Sequence, residues 1–417
     1  MVGERLYEGT YAARLDNGLR IFVEEDPRSR SASIAAWIDI GARDDPEELH
    51  GVSHFIEHLT FKGTKTRSAV DISREIDSVG GSLNAATGRE STVFYADVPV
   101  EGVATAVDLV TDLVRNPAFE PEKIDLERGV VLDEIRGHDD DPESVAFDLF
   151  VSQVWKNAHP LSRPVLGAQE AVERMPWDRI LEHHRRYYRP DRTVLAACGA
   201  VCAERLIEEI AAHYADDPSP AEDVSPRSAP EFGPGRHHHE RDSGQSYIYM
   251  ALLGGSATDP DRYAMEVLNA LLGDGTSSRL FRAIREDRGL AYSIGSTALR
   301  YTDAGLWMIY AATAPELASE VRDRIEHELR LLLEDSVEED ELVRAKARLR
   351  GLFILGMESN ANRAMRLGTA AIANREIGSP EEVLSKLDAV SSADLAAAVE
   401  RFLQLDALHV TTVGPEG

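Results

Sequence analysis

Apolar and polar positions along this chain switch repeatedly between a period of two and a helical period, and the switches outline its elements. Residues 19–23 and 31–40 alternate or run apolar, as strands do. Residues 41–46, Gly-Ala-Arg-Asp-Asp-Pro, interrupt the pattern as a loop, and a helix follows that carries His54 and His58. A second helix is predicted over 70–79, stopped by Gly80 and Gly81, then strands over 82–86 and 91–98 joined around Gly88. Helical spacing returns at 103–114. Pro121 opens the next helix, where its missing N–H leaves nothing unpaired, and Ile124, Val131 and Ile135 mark the buried side. More helix runs to about Tyr188, and residues 193–198 close the unit as a strand.

Residues 216–235 are rich in Pro, Ser, Asp and Glu without apolar periodicity, and read as a linker. His237, His238 and His239 at its edge read as a solvated loop rather than a chelator. Beyond it the same order recurs: a strand at 246–253, helices at 261–272 and 277–286, strands at 291–299 and 305–313, long helices, and a last strand at 408–413. A repeat of element order predicts a duplicated domain. The expected organisation is a first domain at 1–217, a linker at 218–235 and a second domain of the same fold at 236–417. Strands in neighbouring pairs with segregated helices predict α+β architecture, each domain a mostly antiparallel sheet packed against helices.

A chain of 417 residues is too long for one ordinary core and suits two domains of roughly 200 residues each. No run of 18 apolar residues occurs, and the first 20 residues lack an apolar signal core, so a cytoplasmic protein without a membrane partner is expected. The formal net charge of −28 argues against nucleic acid and anionic membranes as partners. It suits either attraction of cationic substrates, basic peptides among them, or a surface adapted to salt. Asp139, Asp140 and Asp141 are the local acidic run in question. Cys198 and Cys202 are the only cysteines and read as reduced thiols.

Chemistry enters at His54-Phe55-Ile56-Glu57-His58. Each helical residue turns the chain by ~100°, so two imidazoles and a carboxylate share one face while Phe55, Ile56 and Leu59 anchor the helix. Two His at i and i+4 suit a zinc ion, and the Glu suits a base for a metal-activated water. A third ligand is needed. Glu127 and Glu134, seven apart, lie on one helix face at a spacing of ~10 Å. One of the two can bind metal while the other supports a ligand from behind.

The run Gly51-Val52-Ser53-His54-Phe55-Ile56-Glu57-His58-Leu59-Thr60-Phe61-Lys62-Gly63-Thr64 resembles the pitrilysin-type zinc metallopeptidases, which carry the H-x-x-E-H order. Within them it is most similar to the bacterial and mitochondrial processing-peptidase branch. That family has its third ligand about 76 residues after the second His, in a helix reading E-R-x-x-x-x-x-E, which here falls on Glu134 with Glu127 as the earlier Glu. The resemblance implies one Zn²⁺ per chain held by His54, His58 and Glu134, with Glu127 in support. Glu57 would be the general base and a zinc-bound water the nucleophile.

Two further stretches resemble the family. Residues 271–281 and 285–292 carry Arg285 and Tyr292, which the resemblance assigns to substrate contact across the site, donating hydrogen bonds to the developing oxyanion. Residues 81–87, Gly-Ser-Leu-Asn-Ala-Ala-Thr, resemble the edge strand that takes an extended peptide as a further strand, with Asn84 and Ala85 as substrate-binding residues. The resemblance spans essentially the whole chain. Gly273-Asp274-Gly275 is short beside the glycine-rich loop that holds presequences in the mitochondrial non-catalytic partner, so general oligopeptide cleavage is the expectation. In the family four such domains enclose a clam-shell chamber. This chain supplies half, which implies a homodimer, or a heterodimer with a related subunit. The competing reading, a non-catalytic scaffold subunit, fits poorly with an intact H-x-x-E-H.

Overall fold

The predicted strands assemble into two sheets in a computed structural model that describes residues 3–217 and 226–415. The first sheet holds β1 (Glu4–Tyr7), β2 (Thr10–Arg14), β3 (Arg20–Glu25), β4 (Ser31–Ile38), β5 (Ser82–Thr87), β6 (Thr92–Pro99) and β7 (Thr193–Gly199). Their order across it is β1-β2-β3-β7-β4-β6-β5. The second sheet holds β8 (Gly235–His239), β9 (Ser246–Leu253), β10 (Ser293–Arg300), β11 (Gly305–Thr313) and β12 (His409–Val413), in the order β10-β11-β9-β12-β8. Read from the edge, β5-β6-β4-β7-β3 and β10-β11-β9-β12-β8 are the same arrangement. In both, the first three pairings are antiparallel and the last is parallel. The duplication expected from element order is therefore a duplication of topology, and the architecture is α+β.

Alternation along the strands divides each sheet into two faces. In the first, Ile34, Ala36, Ile38, Phe94, Ala96, Leu195 and Ala197 are buried with the helices Val52–Thr60, Val103–Arg115 and Ala203–His213. The opposite face is covered by the helix Asn360–Ile372, whose Gly368 lies against Trp37: a Cβ at Gly368 would come within 2.0 Å of the Trp37 Nε1. With both faces covered, every residue of β7 is buried, which explains its unbroken apolar run. In the second sheet Ile248, Met250, Trp307 and Ile309 join the helices Arg262–Leu272, Ala318–Glu334 and Ser392–Phe402. Tyr249, Ala251, Leu306 and Met308 face the helix Pro142–Val154.

Each sheet thus receives one helix from the other half of the sequence. The compact units are accordingly discontinuous: Met1–Gly137, Arg163–Arg227 and Leu355–Ser379 in the first, and His138–Ser162, Ser228–Ile354 and Pro380–Gly417 in the second. A single cut at the linker does not reproduce this division, because amphipathic spacing says that a helix face is buried and not against which sheet.

Residues 218–225 of the predicted linker lie outside the described residues. Downstream, the Arg227 guanidinium grips both oxygens of Asp44, at 2.8 and 2.6 Å. His237, His238 and His239, expected in a solvated loop, belong to β8, which pairs in parallel with β12 from Gly235 to His239. A histidine run shows no alternation, so only the pairing reveals the strand. β1 and β2 are likewise short and were not expected from the pattern. Asp139 and Asp140 continue the helix Pro121–Asp140, and Asp141 caps the next one by accepting the Ser144 N–H at 3.0 Å. Among the described residues no helix is long and apolar enough to cross a membrane.

Candidate metal centre

The helix Val52–Thr60 is aimed by what precedes it. Gly51 has φ +99°, a left-handed turn that glycine adopts without penalty, and a Cβ there would lie 2.8 Å from the Gly167 Cα. Asp45, fully buried, accepts the Gly51 N–H at 2.9 Å and the Ser53 hydroxyl at 2.6 Å. Burial pushes its carboxyl up to about 7, against the pull of these two donors. Val52, Phe55, Ile56 and Leu59 enter the core, which turns His54, Glu57 and His58 to the other side.

On that side the imidazoles of His54 and His58 stand edge to face, with ring centroids 4.6 Å apart. The helix Pro121–Asp140 runs past them with Ile124, Val131 and Ile135 buried, which places Glu127 and Glu134 toward the histidines. Glu134 Oε2 lies 3.3 Å from His58 Nε2 and 3.7 Å from His54 Nε2. The three donor atoms all fall within 4.8 Å of one another. Two imidazole nitrogens and a carboxylate match a catalytic zinc's protein ligands, and the Glu134 side chain is 44% exposed, leaving a side open.

The surroundings favour the metal-binding forms. Burial, then the neighbouring His58, pushes the His54 imidazole down to about 4, so it is neutral near pH 7 with a free lone pair. Its Nδ1 is buried without a hydrogen-bond partner. Glu127 Oε1 sits 2.8 Å from His58 Nδ1, an arrangement that holds the proton on Nδ1 and leaves Nε2 to bind metal. Lys62 Nζ, 2.7 Å from Glu127 Oε2, offsets the buried charge of that carboxylate. The two glutamates that spacing alone left interchangeable are therefore distinct: Glu134 converges on the histidines and Glu127 supports one from behind.

Glu57 is mostly buried, and burial raises its carboxyl above the ordinary range; the Thr87 hydrogen bond works against this. Thr87, the last residue of β5, donates its hydroxyl to Glu57 Oε2. Asn84 and Ala85 lie on the same strand, which ends the sheet order, so one edge of β5 pairs with β6 and the other with no strand among the described residues. Asn84 is exposed and its side-chain oxygen accepts the Ala85 N–H at 2.8 Å.

Arg285 and Tyr292 belong to the second unit. The Arg285 guanidinium lies 5.8 Å from the Tyr292 ring centroid and 5.1 Å from that of Phe281, a stacked cation with a phenol 75% exposed beside it. Where an ordinary helix was expected, Phe281–Glu286 is wound as a π-helix, with the Asp287 N–H on the Arg282 carbonyl at 2.9 Å. Such segments are frequent at functional sites.

In the second unit the equivalent helix carries other residues. By strand order Arg262–Leu272 takes the place of Val52–Thr60. Aligning Glu266 with Glu57 puts Tyr263 and Val267 where His54 and His58 stand. Among the described residues only His54, His58 and Glu134 form a metal-competent group. Sequence reasoning missed Thr87, Lys62 and Asp45. For Lys62 a signal existed, its place four residues after His58; for the other two none did.

The chain is similar to known proteins along most of its length. Residues 20–169 match the insulinase (peptidase family M16) domain, and residues 176–349 match the peptidase M16 inactive domain. The chain is 36% identical over 397 residues to an uncharacterized zinc protease of Streptomyces coelicolor, covering 93% of this chain and 86% of that protein. It is 31% identical over 375 residues to an uncharacterized zinc protease of Bacillus subtilis, covering 90% and 91%. A protease from Helicobacter pylori has the same fold with a TM-score of 0.91 at 19% identity, covering 97% of this chain and 99% of that one. A peptidase M16 inactive domain protein from Pseudomonas fluorescens superposes with a TM-score of 0.90 at 20% identity, covering 97% and 98%.

Proposed function

Since the chain belongs to peptidase family M16, the insulinase family, we propose that it is a zinc-dependent metalloendopeptidase acting on peptides or unfolded segments. One observation carries the reading: His54 Nε2, His58 Nε2 and Glu134 Oε2 converge within 4.8 Å beside Glu57, a mostly buried glutamate on the helix of the two histidines. His54, His58 and Glu134 would hold one zinc ion, and Glu127 would orient His58. The ion would supply Lewis acidity, polarising a peptide carbonyl and acidifying a water. Glu57 takes the proton of the attacking water on its carboxylate and delivers it to the leaving amine nitrogen. Arg285 and Tyr292 donate hydrogen bonds to the developing oxyanion, and Asn84 and Ala85 on β5 receive the peptide by backbone pairing. Two free cysteines fit a reducing compartment such as the cytoplasm.

A quenched fluorescent peptide library tests the reading. Cleavage is expected in zinc-replete protein, abolished by a chelator and restored by added zinc. Absence of cleavage in zinc-replete protein, or cleavage that ignores chelation, would overturn it.

We further propose that the active form is a homodimer in which the metal helix of one protomer works with Arg285 and Tyr292 of its partner. A closed two-fold dimer is the commonest assembly, and both halves of the machinery occur in this one chain. Mixing Glu57→Gln chains with chains bearing Arg285→Ala and Tyr292→Phe should restore activity toward about a quarter of wild type after random exchange. No recovery despite demonstrated exchange would place both parts of a site in one chain.

A further inference from the structure

Among the described residues the Thr87 hydroxyl is the one side-chain donor on the Glu57 carboxylate, and its setting is built rather than incidental. Thr87 closes β5 opposite Thr92, and the Gly88 N–H closes the turn onto the Ser91 carbonyl at 2.8 Å. The loop before the metal helix clamps that turn from the side. The Ala42 N–H binds the Gly88 carbonyl at 3.1 Å, the Arg43 N–H binds the Arg89 carbonyl at 2.8 Å, and the Arg43 guanidinium meets Glu90 at 2.5 Å. A hydroxyl on so constrained a strand end can hold one oxygen of a flexible carboxylate in place and leave the other free.

The repeat supplies an internal contrast. Arg300 is the last residue of β10 and pairs with Gly305, as Thr87 is the last of β5 and pairs with Thr92. Arg300 reaches back to Glu266, the counterpart of Glu57, and forms an ion pair. In the half without metal ligands the strand end thus neutralises the helix glutamate. In the half with them it orients the glutamate with a neutral donor and leaves its charge available to accept a proton.

We propose that Thr87 is a positioning residue for Glu57, and that it ties the base to the strand on which an extended peptide is added. The proposal rests on the peptidase reading, in which Glu57 moves the proton and β5 receives the substrate. It separates turnover from binding: the hydroxyl sets the base, while the backbone of β5 sets affinity.

Thr87→Val keeps the branched shape and removes the donor, whereas Thr87→Ser keeps the donor. Thr87→Val should lower kcat roughly ten- to hundredfold with KM changed by less than about twofold, since misplacing a catalytic group by about 1 Å costs this much. Zinc content should stay at one ion per chain and the thermal midpoint should stay within a few degrees. Thr87→Ser should retain most of the wild-type kcat. In a Glu57→Gln background, adding Thr87→Val should change neither the affinity for an uncleaved fluorescent peptide nor the residual turnover. A wild type that cleaves peptides while Thr87→Val is equally active would overturn this proposal alone. Loss of zinc, a loss that falls on KM, or an equal further loss in the Glu57→Gln background would overturn it too. A zinc-replete wild type that cleaves nothing would overturn the peptidase reading and this proposal with it.

Discussion

Glu57→Gln is expected to keep one zinc ion per chain and to lose peptide turnover by about a hundredfold or more. Glutamine has the same shape, can still accept the Thr87 hydroxyl, and leaves His54, His58 and Glu134 untouched. What it lacks is a group that can take a proton, and positioned acid–base groups contribute about 10²- to 10⁴-fold. Zinc analysis beside a peptide assay checks the result. Full zinc with wild-type turnover would remove Glu57 from the role of base.

Glu134→Gln should do the opposite and fail at the metal. The substitution takes a negative charge from a group whose other two members are uncharged as ligands, and an amide oxygen is a weak donor to zinc. The affinity loss should exceed the roughly 10- to 100-fold cost of losing an outer partner such as Glu127. Competition against a chromogenic chelator measures it. Because the Glu134 side chain is 44% exposed and outside the hydrophobic core, the fold should survive, and circular dichroism should match wild type. Normal zinc affinity in this variant would mean that another group is the third ligand.

What could be read in advance was whatever a single helix encodes. His54, Glu57 and His58 share a face because three and four residues make one turn, and that fact needs no knowledge of what the helix packs against. Glu127 and Glu134 share a face for the same reason. The strands were legible where one face is apolar, as in β4 and β6, and illegible where they are short with at most one buried residue, as in β1, β2 and β8. Ladder pairing stabilises these through backbone hydrogen bonds, which leave no mark on side-chain pattern.

Sequence by itself determined the chemistry available: two imidazoles and carboxylates at helical spacing, and a repeated order of elements. Tertiary structure alone decided how the members are used. Burial of Ile124, Val131 and Ile135 rotates the second helix until Glu134 meets both histidines and Glu127 stands behind His58. Closure of the edge strand brings Thr87 to Glu57 across 30 residues of chain, and Arg300 to Glu266 across 34. The helices Pro142–Val154 and Asn360–Ile372 each cover the sheet of the other sequence half. Such contacts join residues far apart in the chain. Local spacing constrains which face of an element is buried, but the partner is set by the packing of whole faces, which no short window of sequence contains.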